Sequence, residues 1–163
     1  METKCINSFR GKYDFLSNFY ECRLIYDGIE YTHSEGAFQA QKTFDKTLRE
    51  KIAKLSASES KKACGKYGLR VDGVLIKINL RPDWEVRKSA IMKDIVYEKF
   101  NQNEDLKRKL LETGNALLIE GNHWHDNCWG NCSCDRCKSV EGRNLLGKIL
   151  MEVREEFRMQ EEK

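Results

Sequence analysis

The most informative stretch of this chain reads Thr32-His-Ser-Glu-Gly-Ala-Phe-Gln-Ala-Gln-Lys-Thr-Phe44. Its polar residues Glu35, Gln39 and Lys42 follow the spacing i, i+4 and i+7, which places them on one face of a helix. The apolar residues of the opposite face are Ala37, Ala40 and Phe44. A carboxylate, an amide and an amine in one row are costly to bury without a function. An amphipathic surface helix shows the same pattern, so the row needs support from the rest of the chain.

The start of this helix offers a structural explanation for its carboxylate. Thr32 is followed three residues later by Glu35, which is the spacing of a capping box, and we therefore predict a helix that begins at Thr32. In this interpretation Glu35 binds a backbone amide at the helix N-terminus. A catalytic role is then not needed to explain it.

Composition predicts a globular protein. The chain has 163 residues, of which 40% are hydrophobic and 34% charged, and we predict a single domain over residues 1–163 with a core at about 6–157. Its net charge of +3 does not by itself indicate nucleic-acid binding. No apolar run approaches the roughly 20 residues that cross a bilayer, and the N-terminus lacks the apolar region of an export signal. With seven cysteines, these features predict a cytoplasmic protein with reduced thiols and no membrane partner.

Local signals predict an α+β fold, an α-rich domain with a small sheet. Asp27-Gly28 lies between two apolar runs and is typical of a two-residue hairpin turn. Helices are predicted after Ser56, over about 45–55, 84–100 and 103–113, and from 143 onward, and extended segments over 68–80 and 116–120. The segment 121–141 has little regular pattern, and loops of this length inside a compact domain are usually functional.

The long predicted helix carries an amine on its apolar stripe. Trp84, Ile91 and Ile95 form this stripe, and Lys88 falls in the middle of it. The commoner arrangement packs the lysine stem and leaves the head group in water. The alternative is partial desolvation, which lowers the pKa of the amine and makes it a usable nucleophile or base.

The segment 121–141 carries two further groups of candidate residues. Asp126 is a possible acceptor for a sugar hydroxyl and Trp129 a stacking surface for a ring, although a tryptophan here also suits loop packing. Cys128, Cys132, Cys134 and Cys137 are close enough to hold a tetrahedral zinc ion, with His123 and His125 as alternative ligands. Structural zinc sites usually draw on two separated pairs, so reduced cysteines are favoured, with zinc as the alternative and no required cofactor.

Seven short motifs, in order from about Ile6 to Arg154, resemble those of the NADAR family, also called YbiA-like. They read Phe9-Arg-Gly-Lys-Tyr-Asp-Phe-Leu-Ser-Asn-Phe-Tyr20, His33-Ser-Glu-Gly-Ala-Phe-Gln-Ala-Gln-Lys42, Arg81-Pro-Asp-Trp-Glu-Val-Arg-Lys88, Lys99-Phe-Asn-Gln-Asn103, Leu110-Leu-Glu-Thr-Gly114, Asp126-Asn-Cys-Trp-Gly130 and Gly142-Arg-Asn-Leu-Leu-Gly-Lys148. Each motif is short, but their order over nearly the whole chain is specific.

The resemblance implies an N-glycosidase that cuts a bond between a ribose and a nitrogen atom. One implied substrate is the ribosylaminopyrimidine phosphate formed early in riboflavin synthesis, and the other is ADP-ribose linked to guanine in nucleic acid. Its partners are then a ribosyl or ADP-ribosyl small molecule or ADP-ribosylated DNA. A second class of function stays open, namely a module that binds ADP-ribose or NAD without turnover, or an antitoxin that acts by binding.

The same resemblance suggests roles for the residues found above. Glu35 would stabilise positive charge on the sugar, and Lys42 or Lys88 would attack the opened sugar as a Schiff base, while Asp126 is the fourth catalytic candidate. The candidate substrate-binding residues are Arg10, Asn18, Phe19, Tyr20, Gln39, Trp84, Trp129 and Lys148, of which Arg10 and Lys148 are chosen from charge alone.

Two positions depart from the family pattern. Relatives often carry His directly after the glutamate, where this chain has Gly36, and a glycine costs about 1 kcal/mol of helix propensity relative to alanine. This glycine indicates either a crowded pocket or a lost role. In the later loop, His125 stands before Asp126, where a small residue is expected. Both departures bear on substrate preference more than on fold.

Overall fold

The computed structural model describes residues 4–163 and shows an α+β fold rich in helix, as predicted. The α-helices in this range are α1 (Ser34–Ala40), α2 (Lys46–Ile52), α3 (Ala57–Ala63), α4 (Trp84–Asn101), α5 (Glu104–Glu112) and α6 (Leu145–Glu161). The strands in the same range are β1 (Cys5–Ile6), β2 (Leu24–Tyr26), β3 (Ile29–Tyr31), β4 (Leu69–Val71), β5 (Val74–Ile76), β6 (Leu117–Leu118), β7 (Gly121–Asn122) and β8 (Asn131–Cys132). They pair as four two-stranded sheets instead of one small sheet.

The chain forms two compact units. The terminal unit contains the described residues up to Ser17 together with Glu104–Lys163, and the central unit contains Asn18–Asn103. The single domain over residues 1–163 therefore stays a prediction. Within residues 4–163, no helix combines the length and the apolar character that crossing a membrane requires.

Helix α1 is the core element of the central unit. It packs against α2, α3 and α4, and every one of its residues is buried. Small residues at Gly36, Ala37 and Ala40 suit this close approach of neighbouring helices. The amphipathic surface helix is therefore the wrong interpretation, because neither face of α1 lies in water.

The predicted start of α1 at Thr32 is wrong, and the helix ends before the apolar residue Phe44. Its N-cap is His33, whose Nδ1 accepts the Gly36 N–H at 2.8 Å, so the predicted capping box from Thr32 does not form. The physical reason is that the backbone N–H of Glu35 already has a partner, the Asn18 carbonyl at 2.9 Å. At the other end the helix stops at Ala40, and Phe44 is 64% exposed instead of packing inward.

Two hairpins in the central unit have the same turn chemistry. Asp27 and Gly28 join β2 to β3 with φ of 50° and 76°, which confirms the predicted turn. Asp72 and Gly73 join β4 to β5 with φ of 48° and 80°. Both turns need two residues with positive φ, which Asp-Gly accepts at low cost. The sequence interpretation had only one extended segment at the second hairpin.

The terminal unit is built around α6 and the strands beside it. Parallel strands β1 and β6 pair, and α6 packs against β6 and α5. One face of α6 is buried, and it carries Leu146, Leu150, Val153 and Phe157. A Cβ at Gly147 would lie 2.2 Å from the Leu118 carbonyl oxygen, so the helix approaches the strand closely only because this residue is glycine. The segment 121–141 contains the parallel pair β7–β8.

Candidate active site

The Glu35 carboxyl group is buried in the first turn of α1, where only 8% of the residue is exposed. Its Oε1 accepts a hydrogen bond from Gln39 Nε2 at 2.8 Å. Burial raises the pKa of Glu35 above its ordinary value, while the Gln39 hydrogen bond and the charges of Lys61 and Lys42 oppose this shift. Enzymes keep carboxyl groups of this kind as proton donors or as stabilisers of developing positive charge.

The side-chain amide oxygen of Gln39 is a buried acceptor without a hydrogen-bond partner among the described residues. Gln39 is 5% exposed, and its Oε1 has no hydrogen-bond partner in the part of the chain that the structure describes. An unsatisfied buried acceptor costs free energy unless a ligand or water meets it. This atom, beside the Glu35 carboxyl, is suited to accept a hydrogen bond from a bound molecule.

The Lys42 amine lies two residues beyond α1. Its backbone is fixed on both sides, because its N–H donates to the Gln39 carbonyl at 3.1 Å and its own carbonyl accepts the Arg81 N–H at 2.8 Å. Burial lowers the pKa of Lys42, against the opposing charge of Glu35. The neutral, nucleophilic form of this amine is therefore more accessible than that of an ordinary lysine.

Cys64, just after α3, is a neighbour that the sequence interpretation missed. It is close enough to Lys42 and Glu35 for both charges to influence its pKa, which burial raises to about 12. At neutral pH it is therefore a thiol and not a reactive thiolate. No local pattern marks this residue, because only the packing of α3 on α1 brings it here.

Trp84 and Lys88 lie one turn apart at the start of α4. The Trp84 ring is buried 5.0 Å from the Phe38 ring and 5.8 Å from Lys42 Nζ. The Lys88 side chain is 21% exposed and pairs with the exposed Glu85 carboxylate at 2.5 Å. This is the snorkelling arrangement that the sequence favoured for Lys88. We call Glu35, Gln39, Lys42, Cys64 and Trp84 the α1 cluster.

The opening motif supports α1 from one end. Asn18 is buried, its Oδ1 accepts Ser34 Oγ at 3.0 Å, and its carbonyl binds the Glu35 N–H. Its side chain therefore positions the helix start. Phe19 is 47% exposed, and the half-buried Tyr20 ring lies 5.7 Å from the ammonium nitrogen of Lys99.

Gly36 is explained by crowding. A Cβ at this position would lie 2.7 Å from His33 Cε1 and 3.1 Å from His33 Nδ1. The His33 ring cannot turn aside freely, because its Nδ1 accepts the Gly36 N–H and its Nε2 donates to the Leu55 carbonyl at 2.9 Å. The use of His33 as the helix cap therefore explains the glycine at position 36.

The remaining predicted site residues belong to the terminal unit. Asp126 Oδ1 accepts the backbone N–H groups of Cys128 at 3.0 Å and Trp129 at 2.9 Å, so this carboxylate shapes its own loop. Trp129 is half-buried in the same loop. Arg10 is exposed, with its guanidinium 6.0 Å from the Trp124 ring centroid, and Lys148 is exposed on α6.

The structure brings together three of the four predicted cysteine ligands. Cys132, Cys134 and Cys137 form a cluster with His125, and their ligand atoms all lie within 4.8 Å of one another. Cys128, the fourth predicted ligand, does not belong to this cluster. The reason is local, because the Cys128 backbone N–H donates to Asp126 Oδ1. The fourth ligand position is taken by the imidazole of His125, whose backbone has a left-handed φ of 68°.

Comparison with known proteins agrees with the fold and the motifs. A model of the NADAR domain matches residues 7–158. A riboflavin biosynthesis protein of Vibrio vulnificus is 37% identical over 144 residues, which are 88% of this chain and only 35% of that protein. The N-glycosidase YbiA of Escherichia coli is 31% identical over 159 residues, which are 96% of this chain and 91% of that protein.

A solved structure shares the fold. The NMR structure of Escherichia coli YbiA superposes with a TM-score of 0.78 at 31% identity, and the match covers all (100%) of this chain and 90% of that one. The curated names of the relatives support the predicted hydrolase activity on N-glycosyl bonds. Because the domain model spans residues 7–158, and the motifs that carry the resemblance lie in that range, the chain belongs to the NADAR family.

Proposed function

We propose that this protein is an N-glycosidase that hydrolyses the bond between a ribose anomeric carbon and a nitrogen atom. The observation that carries the proposal is the buried Glu35 carboxyl group near the partly buried Lys42 amine. Burial moves the pKa of Glu35 up and that of Lys42 down, so the two values approach each other. Groups shifted in these directions exchange protons more readily near neutral pH. The names of the relatives support the same chemistry.

Glu35 serves the bond-breaking step. Cleavage of a ribosyl–nitrogen bond builds positive charge on the sugar, which a carboxylate stabilises, and the departing nitrogen needs a proton, which a carboxylic acid supplies. The raised pKa of Glu35 favours the second role at the start of the reaction. Gln39 holds this carboxyl in place, and its Oε1 accepts a hydrogen bond from a sugar hydroxyl.

Lys42 is the better of the two candidate nucleophiles. Its neutral Nζ adds to C1 of the opened sugar, the bond from C1 to the base nitrogen breaks, and that nitrogen takes the proton of Glu35. The imine left on Lys42 is then hydrolysed by one water, which returns the amine and releases the sugar. Lys88 is less suited because its ammonium group is paired with Glu85 at the surface.

The proposed substrate is the ribosylaminopyrimidine phosphate of riboflavin synthesis. Its support is the relative named as a riboflavin biosynthesis protein, of which this chain spans 35%. ADP-ribosyl-guanine contains the same kind of bond and is the alternative that an assay must separate. The proposed location is the cytoplasm, where the seven free cysteines stay reduced.

The test is a comparison of two substrates. Purified protein is incubated with the ribosylaminopyrimidine phosphate or with a DNA oligonucleotide that carries ADP-ribosyl-guanine, and released sugar is followed by mass spectrometry. We expect release from the pyrimidine, lost in Glu35→Gln and Lys42→Ala and retained in the matched control Lys88→Ala. Release from DNA alone would overturn the substrate but not the chemistry. Binding of ADP-ribose without any turnover would overturn the proposed function in favour of a binding module.

A further inference from the structure

We propose that the segment 121–141 of the terminal unit binds one zinc ion through His125, Cys132, Cys134 and Cys137. The potential ligand atoms of these side chains all lie within 4.8 Å of one another. His125 Nδ1 lies 3.1 Å from Cys134 Sγ and 3.5 Å from Cys137 Sγ. In a tetrahedral zinc site, ligand atoms are about 3.5–3.8 Å apart, since Zn–S and Zn–N bonds are about 2.3 and 2.0 Å. The cluster is therefore close to the size of a zinc tetrahedron.

The chemistry of the donors selects the metal. Three thiolates and one imidazole are a standard set for zinc, and Cys134-x-x-Cys137 has an accepted spacing between ligands. Four protein ligands fill the tetrahedron and leave no position for water or substrate. The site is therefore structural and not catalytic.

Hydrogen bonds with Asn122 fix the backbone around the cluster without an ion. Asn122 is buried, its Oδ1 accepts the N–H groups of Trp124 and Asp126 at 3.2 Å each, and its Nδ2 donates to the Asp126 carbonyl at 2.7 Å. These bonds hold both neighbours of His125, which supports its left-handed φ of 68°. Cys132 Sγ accepts the His125 N–H at 3.3 Å, which suits a thiolate ligand.

The ion would fix the loop that carries two predicted site residues. Asp126 follows His125 directly, and Trp129 lies within the same loop. Binding of the ion adds its free energy to the ordering of this loop. Arg136 Nη2 contacts His125 Nε2, and since a zinc-bound imidazole carries its proton on Nε2, the exposed Arg136 side chain turns away when the ion binds. None of this depends on the proposed N-glycosidase activity.

The experiment measures zinc in the full chain, purified under reducing conditions without a metal-affinity tag. Elemental analysis should find one zinc per chain, and X-ray absorption should show three sulfur neighbours and one nitrogen. His125→Ala and Cys134→Ser should each weaken zinc affinity by more than about 100-fold, since loss of an outer-shell partner alone costs up to that much. The matched controls His123→Ala and Cys128→Ser should keep one equivalent. Cobalt in place of zinc should give the visible absorption of a tetrahedral thiolate site.

Three results would overturn the site. The first is wild-type protein that takes up less than a tenth of an equivalent when zinc is supplied. The second is metal that Cys128→Ser loses and His125→Ala keeps. The third is a disulfide among Cys132, Cys134 and Cys137 in native protein. The first and third results are measured on the wild-type protein. They can therefore refute the site even if a variant fails to fold.

Discussion

The α1 cluster and the loop over residues 121–141 hold polar groups in two different ways. In the α1 cluster a short helix is buried on every face, and its neighbours α3 and α4 set the surroundings of Glu35 and Lys42. In the loop the side chains of Asn122 and Asp126 bind backbone N–H groups and give the segment its shape. In the first region burial shifts the pKa values of Glu35 and Lys42, whereas in the second region hydrogen bonds fix the backbone conformation. Substitutions should therefore change pKa values and activity in the first region and order in the second.

The largest expected effect separates the two lysines. Lys42→Ala should lower kcat by at least about 10³-fold, because it removes the partly desolvated amine, whereas Lys88→Ala should change kcat by less than about tenfold. Reduction with borohydride during turnover should join the sugar to Lys42, which peptide mass spectrometry detects. A covalent adduct on Lys88, or equal losses in both variants, would contradict this assignment.

Glu35→Gln should lower kcat by about 10²–10³-fold and at the same time stabilise the fold at high pH. The pKa of Glu35 is raised in the folded state, so its contribution to stability is present below the ordinary pKa of glutamate and is lost as pH rises through the folded value. In Glu35→Gln the side chain does not ionise, so stability is not lost in this way as pH rises. The variant should therefore be more stable than wild type at pH 8 and not at pH 4, as urea unfolding measures.

Glu59 provides a matched control of opposite sign. Hydrogen bonds at the Ser56 cap lower its pKa, so its contribution is present above the ordinary glutamate pKa and is lost as pH falls. Glu59→Gln should thus be less stable than wild type at pH 8 and equal to it at low pH. If both variants shifted stability in the same direction, burial would not be the factor that acts on Glu35.

Gly36→Ala tests the crowding at the helix cap. In an open helix this change stabilises by about 1 kcal/mol, but here the new Cβ would lie 2.7 Å from His33 Cε1, and the clash should destabilise by about 1–3 kcal/mol. Denaturant unfolding measures the difference. Because the clash needs the ring, His33→Ala with Gly36→Ala should cost less than the sum of the single changes. Additive costs would show that crowding is not the reason for the glycine.

The two regions also differ in what a sequence can reveal. Helical periodicity placed Glu35 and Gln39 on one face of α1, while Lys42 of the same predicted row lies beyond the helix end at Ala40. The burial of Glu35 and Gln39 depends on α3 and α4, which no local pattern encodes. The approach of Cys64 has the same origin. In the loop, spacing predicted cysteine ligands, yet the fourth member of the cluster depends on the φ of His125. That angle is supported by Asn122, and such hydrogen bonds between side chain and backbone leave little trace in composition.

The smallest expected effect concerns Asp126, for which a catalytic role and a structural role make opposite forecasts. Its Oδ1 accepts two backbone N–H groups, and asparagine keeps that acceptor while removing the charge. If Asp126 shapes the loop, Asp126→Asn should leave stability and kcat nearly unchanged, and Asp126→Ala should lose about 1–2 kcal/mol of stability because two amides lose their partner. If Asp126 is catalytic, Asp126→Asn should lose kcat while the thermal midpoint stays that of wild type. Measuring stability and kcat for both variants decides the question. A structural role depends on the hydrogen-bond acceptor, which asparagine keeps, whereas a catalytic role depends on the charge, which asparagine removes.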